Sequence, residues 1–234
     1  NHCFGIRTDG TLWAWGQGTA YRLGLGDTVD KVAPMQVGVA TNWATVSSSD
    51  TGSLALNTSG EIWTWGTNVE GELGLGDTTT RSLPVQVGAL TTWVQADMGS
   101  TVAGGIDSAG RLWNWGNGTT LGGTGHSNTT DYSSPVQVGT STGWTMISCG
   151  ANAIAGIDGG KLYTWGDNTY GQLGLGTTTN MSSPSQVGVA TNWTSCHMPQ
   201  GNNLMARNSS GELWSSGSGL PYGQHGQGTT ADIS

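Results

Sequence analysis

Gly10-Thr11-Leu12-Trp13-Ala14-Trp15-Gly16 decides the architecture, because variants of it return four times. They are Gly60–Gly66 (GEIWTWG), Gly110–Gly116 (GRLWNWG), Gly160–Gly166 (GKLYTWG) and Gly211–Gly217 (GELWSSG), with leading glycines 50, 50, 50 and 51 residues apart. In an extended segment alternate side chains share a face, so Trp63 and Trp65 lie on one side and Ile62 on the other. A strand apolar on both faces must be covered on both sides. One such unit cannot stand alone and has to stack on its copies.

Working outward, Leu-Gly-Leu-Gly follows at Leu23–Gly26, Leu73–Gly76 and Leu173–Gly176. Then come Pro34, Pro84, Pro135 and Pro184, each trailed by Gln-Val-Gly, and a lone Trp43, Trp93, Trp144 or Trp193. All twelve tryptophans occupy three slots of the repeat, with Tyr163 and Ser216 as the exceptions at two of them. In the second unit, period and punctuation predict strands over Trp43–Ser48, Ser53–Asn57, Glu61–Gly66 and Val85–Gly88. A turn at Thr58-Ser59-Gly60 and a glycine-rich loop running to Asp77 separate them. Four strands in about 50 residues make one β-propeller blade.

The chain is therefore expected to be all-β, a single propeller domain over residues 1–234 with about five four-stranded blades. Its units run roughly over 1–42, 43–92, 93–143, 144–192 and 193–234. A seven-bladed ring needs about 350 residues, so the chain is expected to be part of a longer one; a closed five-bladed ring is the alternative. In an open arc the terminal blades would offer bare edges for assembly with other chains.

Composition narrows the function. With 41 Gly, 9% charged residues and a net charge of −8, helices are disfavoured and no basic stripe is present to hold a phosphate backbone. Nucleic acid is not an expected partner. No apolar run approaches the ~20 residues of a membrane span, so membrane insertion is not expected. Cys3, Cys149 and Cys196 lack metal or redox spacing and are expected as buried small apolar groups. His2, His126, His197 and His225 fall in different units, with His225 in the slot of Leu173, so no metal is expected. Asp27 and Asp77 follow Leu-Gly-Leu-Gly at matching positions and read as turn caps. No Ser-His-Asp order or nucleophile elbow stands out, so neither an enzyme nor a cofactor is expected. Sequons at Asn57, Asn117, Asn128, Asn180, Asn192 and Asn208 are frequent by chance in a chain this rich in Asn, Ser and Thr.

The motifs Gly-x-Leu-Trp-x-Trp-Gly, Asn-x-x-Gly-Gln-Leu-Gly-x-Gly and Pro-x-x-Val resemble the regulator-of-chromosome-condensation repeat, best over Lys161–Pro184, where Asn168–Gly176 stands intact. The resemblance covers nearly the whole chain and implies a propeller, usually seven-bladed. It also implies several roles: nucleotide exchange on a small GTPase, inhibition of a secreted hydrolase, or binding and display on bacterial and viral surfaces. The low charge and the Thr, Asn, Ser and Gly content look like bacterial or phage extracellular propellers. The leading expectation is a non-catalytic scaffold, extracellular or on a virion surface, with a protein partner or cell-surface ligand. A regulator acting on an enzyme is the alternative.

Departures from the repeat point to contact residues. The third unit departs most, through Asn117–His126 and Asn128–Tyr132. The first has Tyr21-Arg22 where the second has Gly71-Glu72, and Tyr170 and Tyr222 hold matching loop positions. Tyr and Arg are favoured interface anchors. Tyr21, Arg22, His126, Tyr132, Tyr170 and Tyr222 form the candidate set.

Overall fold

Among the residues described by the computed structural model (1–119, 122–199, 202–219 and 231–232), the strands form five antiparallel meanders. The first is β1 (His2–Ile6), β2 (Leu12–Gly16) and β3 (Lys31–Gln36). The second is β4 (Trp43–Ser48), β5 (Gly52–Asn57), β6 (Ile62–Gly66) and β7 (Arg81–Gln86). The third is β8 (Trp93–Met98), β9 (Val102–Asp107), β10 (Leu112–Gly116) and β11 (Tyr132–Gln137). The fourth is β12 (Trp144–Cys149), β13 (Ala153–Asp158), β14 (Lys161–Gly166) and β15 (Met181–Gln186). The fifth is β16 (Trp193–His197), β17 (Asn203–Asn208) and β18 (Leu213–Gly217). Strand order in each sheet follows chain order.

Local chemistry explains the hairpins. Between β5 and β6, Asn57 Oδ1 accepts from the backbone N–H of Ser59 and Glu61, both at 3.0 Å. Gly60 closes the turn at φ +74°, where a Cβ would fall 2.5 Å from the Thr91 carbonyl oxygen; only glycine fits. At two of the sequons, Asn57 and Asn208, the side chain is engaged inside such a turn. Each amide also donates to a glutamate, Glu61 or Glu212, at 2.6 Å.

The fourth strand differs from its expected span. It begins at Arg81, before Pro84, and ends at Gln86. Its register shifts against β6: Thr64 opposes Val85, but Gly66 opposes Arg81. The bulge carries Pro84 through an outer strand without demanding its missing N–H. The same shift occurs at β3, β11 and β15.

Successive sheets stack. The second strand of a blade packs on the first strand of the next, β5 on β8, β9 on β12 and β13 on β16; in the three-stranded first sheet β1 takes the second strand's place and packs on β4. First strands also meet one another, which makes them innermost. Side chains stitch this inner ring. Asp97 on β8 accepts from Ser47 Oγ of the blade before and, at 2.8 Å, from the Cys149 N–H of the blade after. Gln95 pairs with both backbone groups of Ile147 at 3.1 and 3.2 Å.

Each junction holds one apolar cluster. Trp65, Trp115 and Trp165 are wholly buried there, each contributing up to about 4–6 kcal/mol by area removed from water. Trp43, Trp93, Trp144 and Trp193 are buried too. The remaining slot is half-exposed at the blade edge, where Trp63 and Trp113 lie edge-on to Trp43 and Trp93, centroids 6.1 Å apart.

Among the described residues the first and fifth sheets do not pack on each other as neighbours do, so this is a partial propeller and not a closed five-bladed ring. One expectation of burial fails at its first sheet: Cys3 is exposed, and Trp15, opposite it, is only half-buried. Both sit on the face that later blades turn toward their predecessor. Cys149 and Cys196 are buried as expected, and none of the three cysteines is in a disulfide.

Candidate binding face

Loops leading into the outer strand, residues 17–30, 67–80, 117–119 with 122–131, and 167–180, leave equivalent strands in the same sense and so share one face. Buried asparagines organise two of them. Asn68 and Asn168 each accept from a leucine N–H (Leu73, Leu173) at 2.9 Å and donate across the loop to the carbonyls of Asp77 and Thr79, or Thr177 and Thr179. Where glycine replaces that asparagine, the loop is closed from the far side. Asp30 accepts from Gly18 N–H at 2.9 Å and Asp131 from Gly118 N–H at 2.8 Å.

Asp27 and Asp77 cap these loops as expected. Each accepts a backbone N–H two residues on, from Val29 or Thr79. They also pair with Lys31 and Arg81 at 2.9 and 2.6 Å. The Lys31 side chain and the Val29 N–H hold Asp27 below its ordinary pKa; the Thr79 N–H and Arg81 do so for Asp77.

The candidate contact residues separate. His126 and Tyr132 come together, their rings 4.6 Å apart at the base of the third loop. His126 Nε2 meets the Val136 carbonyl at 3.2 Å, and Tyr132 Oη accepts from Asn128 at 2.9 Å. Burial holds the His126 imidazole below its ordinary pKa despite that carbonyl. Tyr170 is exposed on the fourth loop, and Tyr21 is half-buried on the first. Tyr21 sits at φ +58°, where the other loops place Gly71, Gly122 and Gly171. A tyrosine is strained there.

Arg22 is not a surface anchor. It is 9% exposed, and its guanidinium folds back onto the Thr19 carbonyl at 2.8 Å and Gln17 at 3.2 Å. The slot is internal in every repeat described, with Glu72 and Gln172 buried in the same place. Tyr222 and His225 lie outside the described residues.

Sequence reading missed a groove of about 550 Å³ between the third and fourth blades, lined by His126, Gln137, Ser141, Asp158, Tyr163 and Pro184. Ser141 donates to Asp158 at 2.7 Å on its wall. The sequence singles out His126 within the divergent third loop and Tyr163 in a tryptophan slot; Ser141 and Asp158 lie far apart in the repeat and carry no motif. Among the described residues no three or more His, Cys, Asp or Glu side chains converge on a metal-sized site. No described helix is long and apolar enough to cross a membrane.

The profile described as the Regulator of chromosome condensation (RCC1) repeat matches residues 9–56, 59–104 and 159–198, more than half of the chain. The chain belongs to this repeat family. The RCC1 match leaves out residues 105–158 and 199–234, which include the whole third loop and most of the fifth unit. Human WBSCR16 shares the fold at a TM-score of 0.85 and 18% identity, over 99% of this chain and 63% of that one. Yeast RCC1 (Prp20), solved bound to Kap60, gives 0.76 and 20%, over 88% and 52%. Prp20p from Saccharomyces cerevisiae, in the structure titled with its binding to Gsp1p and histones, gives 0.77 and 19%, over 92% and 55%. The chain thus spans less than two thirds of each of these relatives. No curated protein matches by sequence.

Proposed function

We propose that this chain is a non-catalytic scaffold whose loop face binds a protein or a cell-surface ligand. The carrying observation is a division of labour within the repeat. Recurring positions go into the junctions, while irregular ones put Tyr21, Tyr170, Val29, Val69 and the His126–Tyr132 pair on or beside one face. Isolated exposed apolar residues are ordinary; aromatic anchors gathered on one face are what binding sites use. The RCC1 structures solved with, or titled by, protein partners (Kap60, Gsp1p, histones) belong to other proteins. They support reading this architecture as a protein-binding one. The net charge of −8 favours a partner with a basic patch. Low charge and abundant Thr, Asn, Ser and Gly support placing the protein outside the cell or on a virion surface.

The test compares wild type with the combined variant Tyr21→Gly, His126→Ala, Tyr132→Ala, Tyr170→Ala, captured against small GTPases, secreted hydrolases and cell-surface fractions. Binding that the variant loses while keeping its fold supports the proposal. A salt-resistant GTPase complex with accelerated nucleotide exchange, or inhibition of a hydrolase, would instead make the protein a regulator of an enzyme.

A further inference from the structure

At three of the four blade junctions an indole fills the same space. Trp65, Trp115 and Trp165 each lie over a left-handed glycine of the preceding blade: Gly24, Gly74 or Gly125, with φ +67°, +71° and +74°. A Cβ on any of these glycines would fall 2.7–2.8 Å from the indole nitrogen. Trp65 and Trp115 also donate to a carbonyl two residues before their glycine, Arg22 and Glu72, both at 2.9 Å.

At the fourth junction the position falls to Ser216, yet the rest of the socket is kept. Gly174 is still left-handed, at φ +65°, and the nearest atom its Cβ would meet is Ser216 Oγ at 3.1 Å. The Ser216 hydroxyl donates to the matching carbonyl, Gln172, at 3.3 Å. A cavity of about 450 Å³ remains, lined by Leu162, Val187, Trp193, Leu204, Ala206 and Trp214 among others. Four of these match, position for position, Leu12, Val37, Trp43 and Ala55, which cluster with Trp65 at the first junction. The cavity is therefore the vacated indole site, at the junction of the fourth and fifth sheets beside the edge strand β18.

Its chemistry restricts what can enter. No charged side chain lines it, so an ionic ligand would be desolvated without a partner. Water gains little there, because a buried water needs two to four polar partners. The Gln172 carbonyl has a second lone pair and stands where two other junctions receive an indole N–H. The volume lies in the range of small-molecule sites.

We propose that this cavity binds a small neutral N–H aromatic of the indole class, with its ring against Leu162, Val187 and Trp193 and its N–H on the Gln172 carbonyl. The occupant is specified by the filled junctions: all three supply its shape, and two of them, through Trp65 and Trp115, its hydrogen bond.

The test is titration of 5-fluoroindole into wild type and Ser216→Trp, followed by ¹⁹F NMR. Wild type is expected to bind one equivalent saturably, and Ser216→Trp to bind none while unfolding at a higher temperature. Should Ser216→Trp fail to fold, Ala206→Leu blocks the same space from β17. 1-Methylindole, which lacks the donor, is expected to bind about tenfold more weakly. Absence of saturable binding to wild type, or equal binding to the filled variant, overturns the proposal. So does a wild-type dimer that Ser216→Trp dissociates, since a second copy would then be the occupant. Equal affinity for 1-methylindole overturns the role given to Gln172.

Discussion

The indole nitrogen of Trp65 donates to the backbone carbonyl of Arg22, 2.9 Å away and 43 residues earlier. Trp115 repeats the link to Glu72 at the same distance and the same separation. Each bond ties the third strand of one blade to the loop of the blade before, so the slot is a directional clamp as well as apolar bulk.

Removing the donor alone should therefore cost stability. Trp115→Phe keeps an aromatic ring but leaves the buried Glu72 carbonyl unpaired, for a loss of about 1–3 kcal/mol. Trp115→Ala should lose about 3–5 kcal/mol by cavity formation. Urea denaturation measures both; an unchanged midpoint for Trp115→Phe would show that the clamp is steric only.

Two glycines in the same conformation should respond differently to one methyl group. Gly74→Ala and Gly174→Ala each incur the left-handed penalty of about 1–2 kcal/mol. Only Gly74→Ala also drives a Cβ to 2.7 Å from the Trp115 nitrogen, adding about 1–3 kcal/mol of overpacking. Equal losses in paired thermal melts would contradict the difference in packing.

Asp107 predicts acid sensitivity. Its side chain is fully buried, and its carboxylate accepts from Ala109 and Arg111 N–H at 3.0 Å, Arg111 Nε at 2.7 Å and Trp113 Nε1 at 3.1 Å. Burial raises its pKa, but those hydrogen bonds outweigh it and leave it below the ordinary value. A lowered folded pKa stabilises fully above the unfolded value and is lost as pH falls through the folded one. Asp107→Asn keeps the turn acceptor, as Asn57 does, but turns an N–H₂ toward Arg111 and Trp113. The variant should be about 1.5–3 kcal/mol less stable at pH 7, and the gap should close below about pH 4. A gap independent of pH would remove the carboxylate from the account.

The thiols should divide one to two. Burial, with the Asp97 charge adding to it, pushes Cys196 up to about 12 and Cys149 well above the ordinary value. Cys3 is exposed. An aromatic disulfide reagent at pH 8 should titrate one thiol in the folded protein and three in denaturant, and Cys3→Ser should abolish the first. Two fast thiols in the native protein would contradict the buried placement.

The blades were legible because stacking demands the same residue at the same place every time, and twelve tryptophans obey that demand. Pro84 misled as a strand boundary because register shifts leave no mark in composition. Arg22 misled because a departure from a pattern shows variation, not exposure; its carbonyl, common to all residues, serves the repeat while its guanidinium turns inward. Cys3 misled because burial in a stack depends on the neighbour, not on the residue. Among the described candidate contacts only the His126–Tyr132 pairing is a true meeting, and six residues of separation across a bend could not disclose it. Ser216 was visible as an exception from the start, but the volume behind it exists only once two sheets are laid together.

Asp97 couples more than two blades at once. Its two oxygens accept from three consecutive blades, its own and one on either flank. Where repeat arrays are ordinarily described by the terms of adjacent pairs, this one half-buried carboxylate adds a link that reaches from the second sheet to the fourth.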